Sequence, residues 1–181
     1  MTDTEILIDL AQGLAGGAIR ALDDLSPEAL HWRPDEDANS IALTAWHCCR
    51  ALDVLAVRVL DDRPVEQELW YAEGWAAATG YDPDGKGWGG LGNLAGYTPQ
   101  EVSEVPLLSA QELQRYLQAA CEALCDCIER LPADALDLPA SGWPGQPQSA
   151  YFCIRNFVMD GLGHLGEIKA IRAMWERRFG E

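Results

Sequence analysis

The stretch Ala150-Tyr151-Phe152-Cys153-Ile154-Arg155-Asn156-Phe157-Val158-Met159-Asp160-Gly161-Leu162-Gly163-His164-Leu165-Gly166-Glu167-Ile168 decides how this chain is read. Cys153, Phe157, Ile168 and Ile171 recur at helical spacing, yet Asp160, His164 and Glu167 stand in the same stripe. A stripe bound for a core should not carry unpaired charge, because an ionised group taken out of water without a partner is strongly disfavoured. Asp160 and His164 stand four residues apart, so both project from one helical face and can bind the same ion. His47 lies in a second apolar segment, which antiparallel packing would bring opposite them. Two imidazoles and one carboxylate would hold a divalent cation and leave positions open for water or substrate. The expected metal ligands are therefore His47, Asp160 and His164.

The rest of the chain supplies the other helices. Ile6, Leu10, Leu14, Ala18 and Leu22 recur at steps of four and predict an apolar stripe on a first helix. Ser26-Pro27-Glu28 combines a cap, a proline suited to the first helical position and a first-turn acid, opening a short helix. Ser40 caps a second long helix over about 41–60, which carries His47. Ser109 and Glu112 form a capping-box pattern, with Leu108 and Leu113 as a hydrophobic staple, so a third helix starts there and ends before Pro132. The proline-rich stretch 132–148 reads as a crossover linker. Ser149 caps the last helix, which runs to about 178, where Arg172, Arg177 and Arg178 suit the negative end of the dipole. Gly161, Gly163 and Gly166 lower helix propensity, which predicts a packing reason for them.

Between residues 61 and 108 the helical pattern fades, and Trp70, Tyr71, Trp75, Tyr81, Trp88 and Tyr97 concentrate among glycines. Such a long connection is expected to cover a site or make an interface, with a short helix near 66–78 and mostly loop over 81–96. It should matter to ligand access or assembly more than to basic folding. Asp82-Pro83-Asp84-Gly85-Lys86-Gly87 superficially resembles a calcium loop, but Lys86 stands where an oxygen ligand is needed and no late glutamate follows in register.

Length and composition fit one domain over residues 1–181 with a core large enough to need no disulfides. The 29 acidic residues against 13 basic ones give a net charge of -16, which opposes binding to nucleic acid or anionic membranes. The start of the chain is acidic where a secretory signal would be basic, and no apolar run approaches bilayer length, so a cytoplasmic location is expected. The six cysteines, Cys48, Cys49, Cys121, Cys125, Cys127 and Cys153, fall in predicted helices and are expected to be reduced. Cys121 and Cys125 share a helical face, as small core hydrophobes more often than as a redox or metal pair.

Blander roles compete at each candidate. A lone His47 is more often a hydrogen-bonded structural residue, and an isolated Asp-x-x-x-His pair suits an ion pair as well as a metal. Glu167 is a candidate general base or partner of a ligand, or simply an exposed acid. Arg155 and Asn156 are weaker candidates for orienting a carbonyl or anionic group. His31, in His31-Trp32-Arg33-Pro34, fits a loop contact better than ligation.

Across nearly its full length the chain resembles the DinB-like, YfiT-like family of small helical bundles. The resemblance rests on Leu25-Ser26-Pro27-Glu28-Ala29-Leu30-His31-Trp32-Arg33-Pro34, on Ser40-Ile41 opening the His47 helix, and on His164-Leu165-Gly166-Glu167-Ile168. It implies an all-α four-helix bundle with long-crossover topology, a metal site near one end and a homodimer. The family pattern, a histidine from the second helix and a His-x-x-x-His pair from the fourth, maps onto His47 and His164, while Asp160 stands where the first histidine of the pair is usual. It further implies a divalent metal, zinc or nickel first and iron or manganese after them. The implied chemistry is thiol-dependent S-transfer or isomerisation of a small-molecule substrate, with a low-molecular-weight thiol as cosubstrate and the metal as Lewis acid. Hydrolysis, a non-catalytic metal- or ligand-binding bundle and a metal-free structural dimer are the alternatives.

Overall fold

Small polar side chains fix where the helices begin. Thr2, Ser26, Ser40, Thr98, Ser109 and Ser149 each accept a hydrogen bond from the backbone N–H three residues on, satisfying a donor that the first turn leaves free. The computed structural model describes residues 1–132 and 134–180. Among them the regular structure is helical: α1 (Asp3–Ala21), α2 (Pro27–His31), α3 (Ile41–Val54), α4 (Leu69–Ala72), α5 (Trp75–Thr79), α6 (Pro99–Glu104), α7 (Ala110–Arg130) and α8 (Ala150–Phe179). Helix α3 continues as a π-helical segment, Leu55–Leu60. No described helix is long and apolar enough to cross a membrane.

Helices α1 and α3 each lie against both α7 and α8. Contacts give the directions. Asn39 meets Glu167 and His47 meets Asp160, so α3 and α8 run antiparallel, which brings His47 opposite the α8 pair. Cys49 reaches Leu113, Asp53 reaches Tyr116 and Asp61 reaches Cys127, so α3 and α7 run parallel. A chain joining two parallel neighbours must travel back along the bundle, which explains the long segment between them. The 132–148 stretch, expected to be the crossover, joins antiparallel helices instead; apart from Ala133, which lies outside the described residues, it passes over the end of α3, where Gly142 N–H donates to the Val59 carbonyl.

Two expectations about packing change. Ile6 and Leu10 are 38% and 40% exposed, while Leu7, Ala11, Leu14 and Ala18 are buried. A strict four-residue step gains about 40° per repeat on a helix of 3.6 residues per turn, so such a stripe drifts off the core face. Of the α8 glycines, only Gly161 is pressed by a neighbour: a Cβ there would meet Leu14 Cδ2 at 2.4 Å, and one at Gly17 would meet Leu165 Cδ2 at 2.6 Å. Gly163 and Gly166 face open space.

The insert is the larger correction. Trp70, Trp75, Tyr81 and Leu91 are buried with Trp46 and Tyr116, and the rings of Trp70 and Trp75 stack 6.2 Å apart. The segment expected to matter mainly for access or assembly therefore also supplies part of the core. Its helices are also shorter than expected, a 3₁₀ turn Val65–Gln67 followed by α4 and α5, because Gly74 sits at φ +80° between them.

Candidate metal centre

His47 projects from the middle of α3 and is 6% exposed. Its Nδ1–H donates to the Asn93 carbonyl, in the insert. A carbonyl can only accept, so the proton is on Nδ1 and Nε2 is turned toward α8. There Nε2 lies 3.2 Å from Asp160 Oδ2. One turn further along α8, His164 Nε2 lies 3.6 Å from the same oxygen, and its Nδ1 lies 2.8 Å from Glu167 Oε2. Asn39 Nδ2 donates to the other Glu167 oxygen at 3.3 Å, fixing that carboxylate. The two imidazoles meet edge to face with centroids 4.7 Å apart. One ligand atom from each of His47, Asp160 and His164 lies within 4.8 Å of the others.

The donor chemistry tests whether a cation fits. Each imidazole faces an acceptor at both nitrogens: a carbonyl and a carboxylate for His47, two carboxylates for His164. Neutral imidazole has only one N–H, so a cation, either a second proton on a ring or one metal ion shared by both Nε2 atoms and Asp160, would complete the arrangement. The residues present fit a divalent cation. Helix α8 does not bury the polar pair as its stripe suggested: the Asp160 side chain is 53% exposed, so solvent relieves the desolvation predicted for it, and His47 alone is buried. With a second proton on His47, its Nε2–H donates to Asp160 and holds that carboxyl below its ordinary range, against the opposing effect of partial burial.

The family profile of the DinB superfamily matches residues 17–168, a span that holds the whole triad and leaves out most of α1 and the end of α8. The chain belongs to the DinB superfamily. A crystal structure described as a conserved protein from Enterococcus faecalis superposes with a TM-score of 0.78 at 17% identity, covering 95% of this chain and 96% of that one. That likeness carries the fold. A search of curated protein sequences finds no match.

In this DinB superfamily protein the triad opens onto a cavity of about 370 Å³, lined also by Ala51, Trp88, Asn93, Leu94, Ala95, Trp143, Asn156 and Phe157. Asn156 thus borders the site. Arg155 does not; its guanidinium sits 5.3 Å from the Phe152 ring centre. Glu167 is the hydrogen-bond partner of His164. His31 lies elsewhere, in a second cavity of about 430 Å³ lined also by Arg33, Tyr97 and Ser103. All six cysteines are free and buried. Burial pushes the Cys48 thiol up to about 12, with Asp160 and Glu167 adding to the shift, so the cysteine beside the site stays protonated at neutral pH.

The wall of the site depends on residues that the sequence reading passed over. Fully buried Arg50 donates from Nε to the Gly92 carbonyl at 3.1 Å, from NH1 to Asp53 and Tyr116, and from NH2 to Glu68 at 2.7 Å. Asp53 in turn accepts the Leu69 and Trp70 N–H groups. Gly92 stands at φ +65°, and a Cβ there would meet the Pro83 carbonyl oxygen at 2.3 Å. Leu94 also holds a positive φ of 83°, a costly conformation for a branched side chain, on the other side of the Asn93 carbonyl that anchors His47. The signal was available: Arg50 and Asp53 are charges inside an apolar helix, as informative as His47.

Proposed function

We propose that this protein is a metal-dependent enzyme in which His47, Asp160 and His164 hold a divalent cation, and in which a low-molecular-weight thiol either displaces a leaving group from a small electrophilic substrate or adds to it and is expelled again after the substrate has isomerised. The observation that supports the reading is the double acceptor at each imidazole, which asks for a cation at the point where both Nε2 atoms and Asp160 Oδ2 converge. Two imidazoles and a carboxylate suit zinc, nickel, iron or manganese. When bound, the ion supplies Lewis-acid chemistry, lowering the pKa of a coordinated thiol or polarising an electrophile.

The chain's own residues divide the remaining work. Asn93 and Glu167 hold the imidazole protons on Nδ1 and so aim both Nε2 atoms. Apart from the triad, no titratable side chain among the described residues lines the cavity. A thiol acidified on the metal would bring its own nucleophile, so thiol transfer needs no further base from that lining. Buried, protonated Cys48 leaves that thiol to come from solution. Asn156 can donate its amide to a substrate carbonyl or nitro group.

A metal-free reading has its own support, since two doubly protonated imidazoles flanked by Asp160 and Glu167 would also satisfy every acceptor. Calorimetry of metal-loaded and chelator-treated protein against glutathione, cysteine and coenzyme A tests the proposal. It predicts thiol binding only with metal, lost in His164→Ala. Absence of metal-dependent binding across thiols would reject the transferase.

A further inference from the structure

We infer that the Trp88–Trp143–Phe157 wall of the site is a binding surface for a flat, uncharged, electron-poor aromatic body. Trp143 is the hub: its ring centre lies 5.2 Å from Trp88, 6.1 Å from Phe157 and 6.0 Å from Phe152, at interplanar angles between 57° and 89°. The wall draws on the insert and, far from it in sequence, on the 132–148 connection and the first turns of α8. Trp88 remains 47% exposed, whereas Trp70, Trp75 and Tyr81 of the insert are buried. Its indole borders the cavity, open to a ligand. The backbone that carries it is firmly placed. The Trp88 backbone N–H donates to the Ala95 carbonyl at 2.7 Å, and Gly87 and Gly89 hold positive φ on either side.

The ligand class follows from shape and charge. Tryptophan faces are electron-rich, so they stack best with rings depleted of electrons by nitro or carbonyl groups. Leu94 and Ala51 complete an apolar lining, and Asn156 offers an amide to such a group. Among the described residues no lysine or arginine lines the cavity, and the chain carries a net charge of -16, so no cationic side chain there attracts a carboxylate. The same holds on the thiol-transfer reading, on which this inference rests only for its link to catalysis: a divalent ion, ionised Asp160 and a thiolate sum to zero.

Calorimetry with chelator-treated protein provides the test, using 1,3-dinitrobenzene as the neutral probe and 3,5-dinitrobenzoate as its anionic counterpart. The neutral probe should bind at least about tenfold more tightly. Trp88→Ala should weaken it about fivefold or more, from the usual worth of one aromatic pair. Trp88→Phe should restore most of the affinity, and Phe179→Ala, at the far end of α8, should change nothing. Equal binding of the two probes, or an unchanged affinity in Trp88→Ala, would overturn the inference. Dinitrobenzene binding that survives while metal-dependent thiol binding is absent would sink the transferase reading alone; the opposite pair of results would sink the aromatic surface alone.

Discussion

One helical turn apart on α3, His47 and Arg50 anchor two polar clusters that solve the problem of buried charge in opposite ways. Around Arg50 the donors and acceptors close on one another: the guanidinium meets Asp53, Glu68, Tyr116 and the Gly92 carbonyl, and Asp53 takes up two backbone N–H groups. Around His47 acceptors outnumber donors and one side is open, with Asp160 half exposed to a cavity. A cluster that satisfies itself holds the fold together; one that needs a further cation is where chemistry can happen. The two are joined through Gly92-Asn93, since Arg50 holds one carbonyl and His47 the next.

The sharpest way to break this contrast is Arg50→Ala. It leaves Asp53 buried without its cation and Glu68 with only Arg58, at 3.4 Å, so urea unfolding of metal-free protein should show a loss of about 3–5 kcal/mol. The matching change in the other cluster, His164→Ala, should alter metal-free stability by less than about 1 kcal/mol. Equal losses would mean that both clusters are structural.

Gly92→Ala probes the joint between them. Its backbone sits at φ +65° against the Pro83 carbonyl, so the added methyl should destabilise the protein by about 1–3 kcal/mol and weaken metal binding as well, by moving the Asn93 carbonyl from His47. Loss of stability with unchanged metal affinity would separate the two clusters.

Glu167→Ala acts on the open cluster alone. Removing the acceptor of His164 Nδ1 should weaken metal binding about 10–100-fold while leaving the unfolding of chelator-treated protein within about 0.5 kcal/mol of the parent. Isothermal titration with zinc and a urea curve measure both.

The smallest effect belongs to the insert surface. Tyr71 donates to Asp82 at 2.6 Å and holds that carboxyl below its ordinary value of 3.8. A depressed carboxyl contributes stability above its ordinary value and loses it as pH falls through the depressed one. Tyr71→Phe should therefore lower stability by less than about 1 kcal/mol at neutral pH, and the difference should fade as unfolding curves are taken to more acidic pH.

What the sequence disclosed follows the range of the forces involved. Caps act over three residues, so Ser40, Ser109 and Ser149 announced helices that start where they should. The triad was legible because Asp160 and His164 share a helix face and His47 breaks an apolar run. Register was less secure, as Ile6 and Leu10 show, because a stripe of leucines cannot say which side drifts from the core. Least legible was the insert: Trp70 and Tyr81 reach the core only through pairing with Trp46 and Tyr116, and Glu68 only through Arg50, all contacts between segments distant in sequence. Arg155 misled for a simpler reason, since it stands five residues before Asp160, a rotation of about 140° on a helix, and so points to another side.

The most direct measurement is the metal content of protein purified without added metal, taken alongside His47→Ala, Asp160→Asn and His164→Ala. A site built on convergent Nε2 atoms predicts close to one divalent ion per chain in the parent, most of it lost in either histidine variant, and a smaller loss in Asp160→Asn, whose amide oxygen can still coordinate. Equal metal content in the parent and all three variants would contradict it.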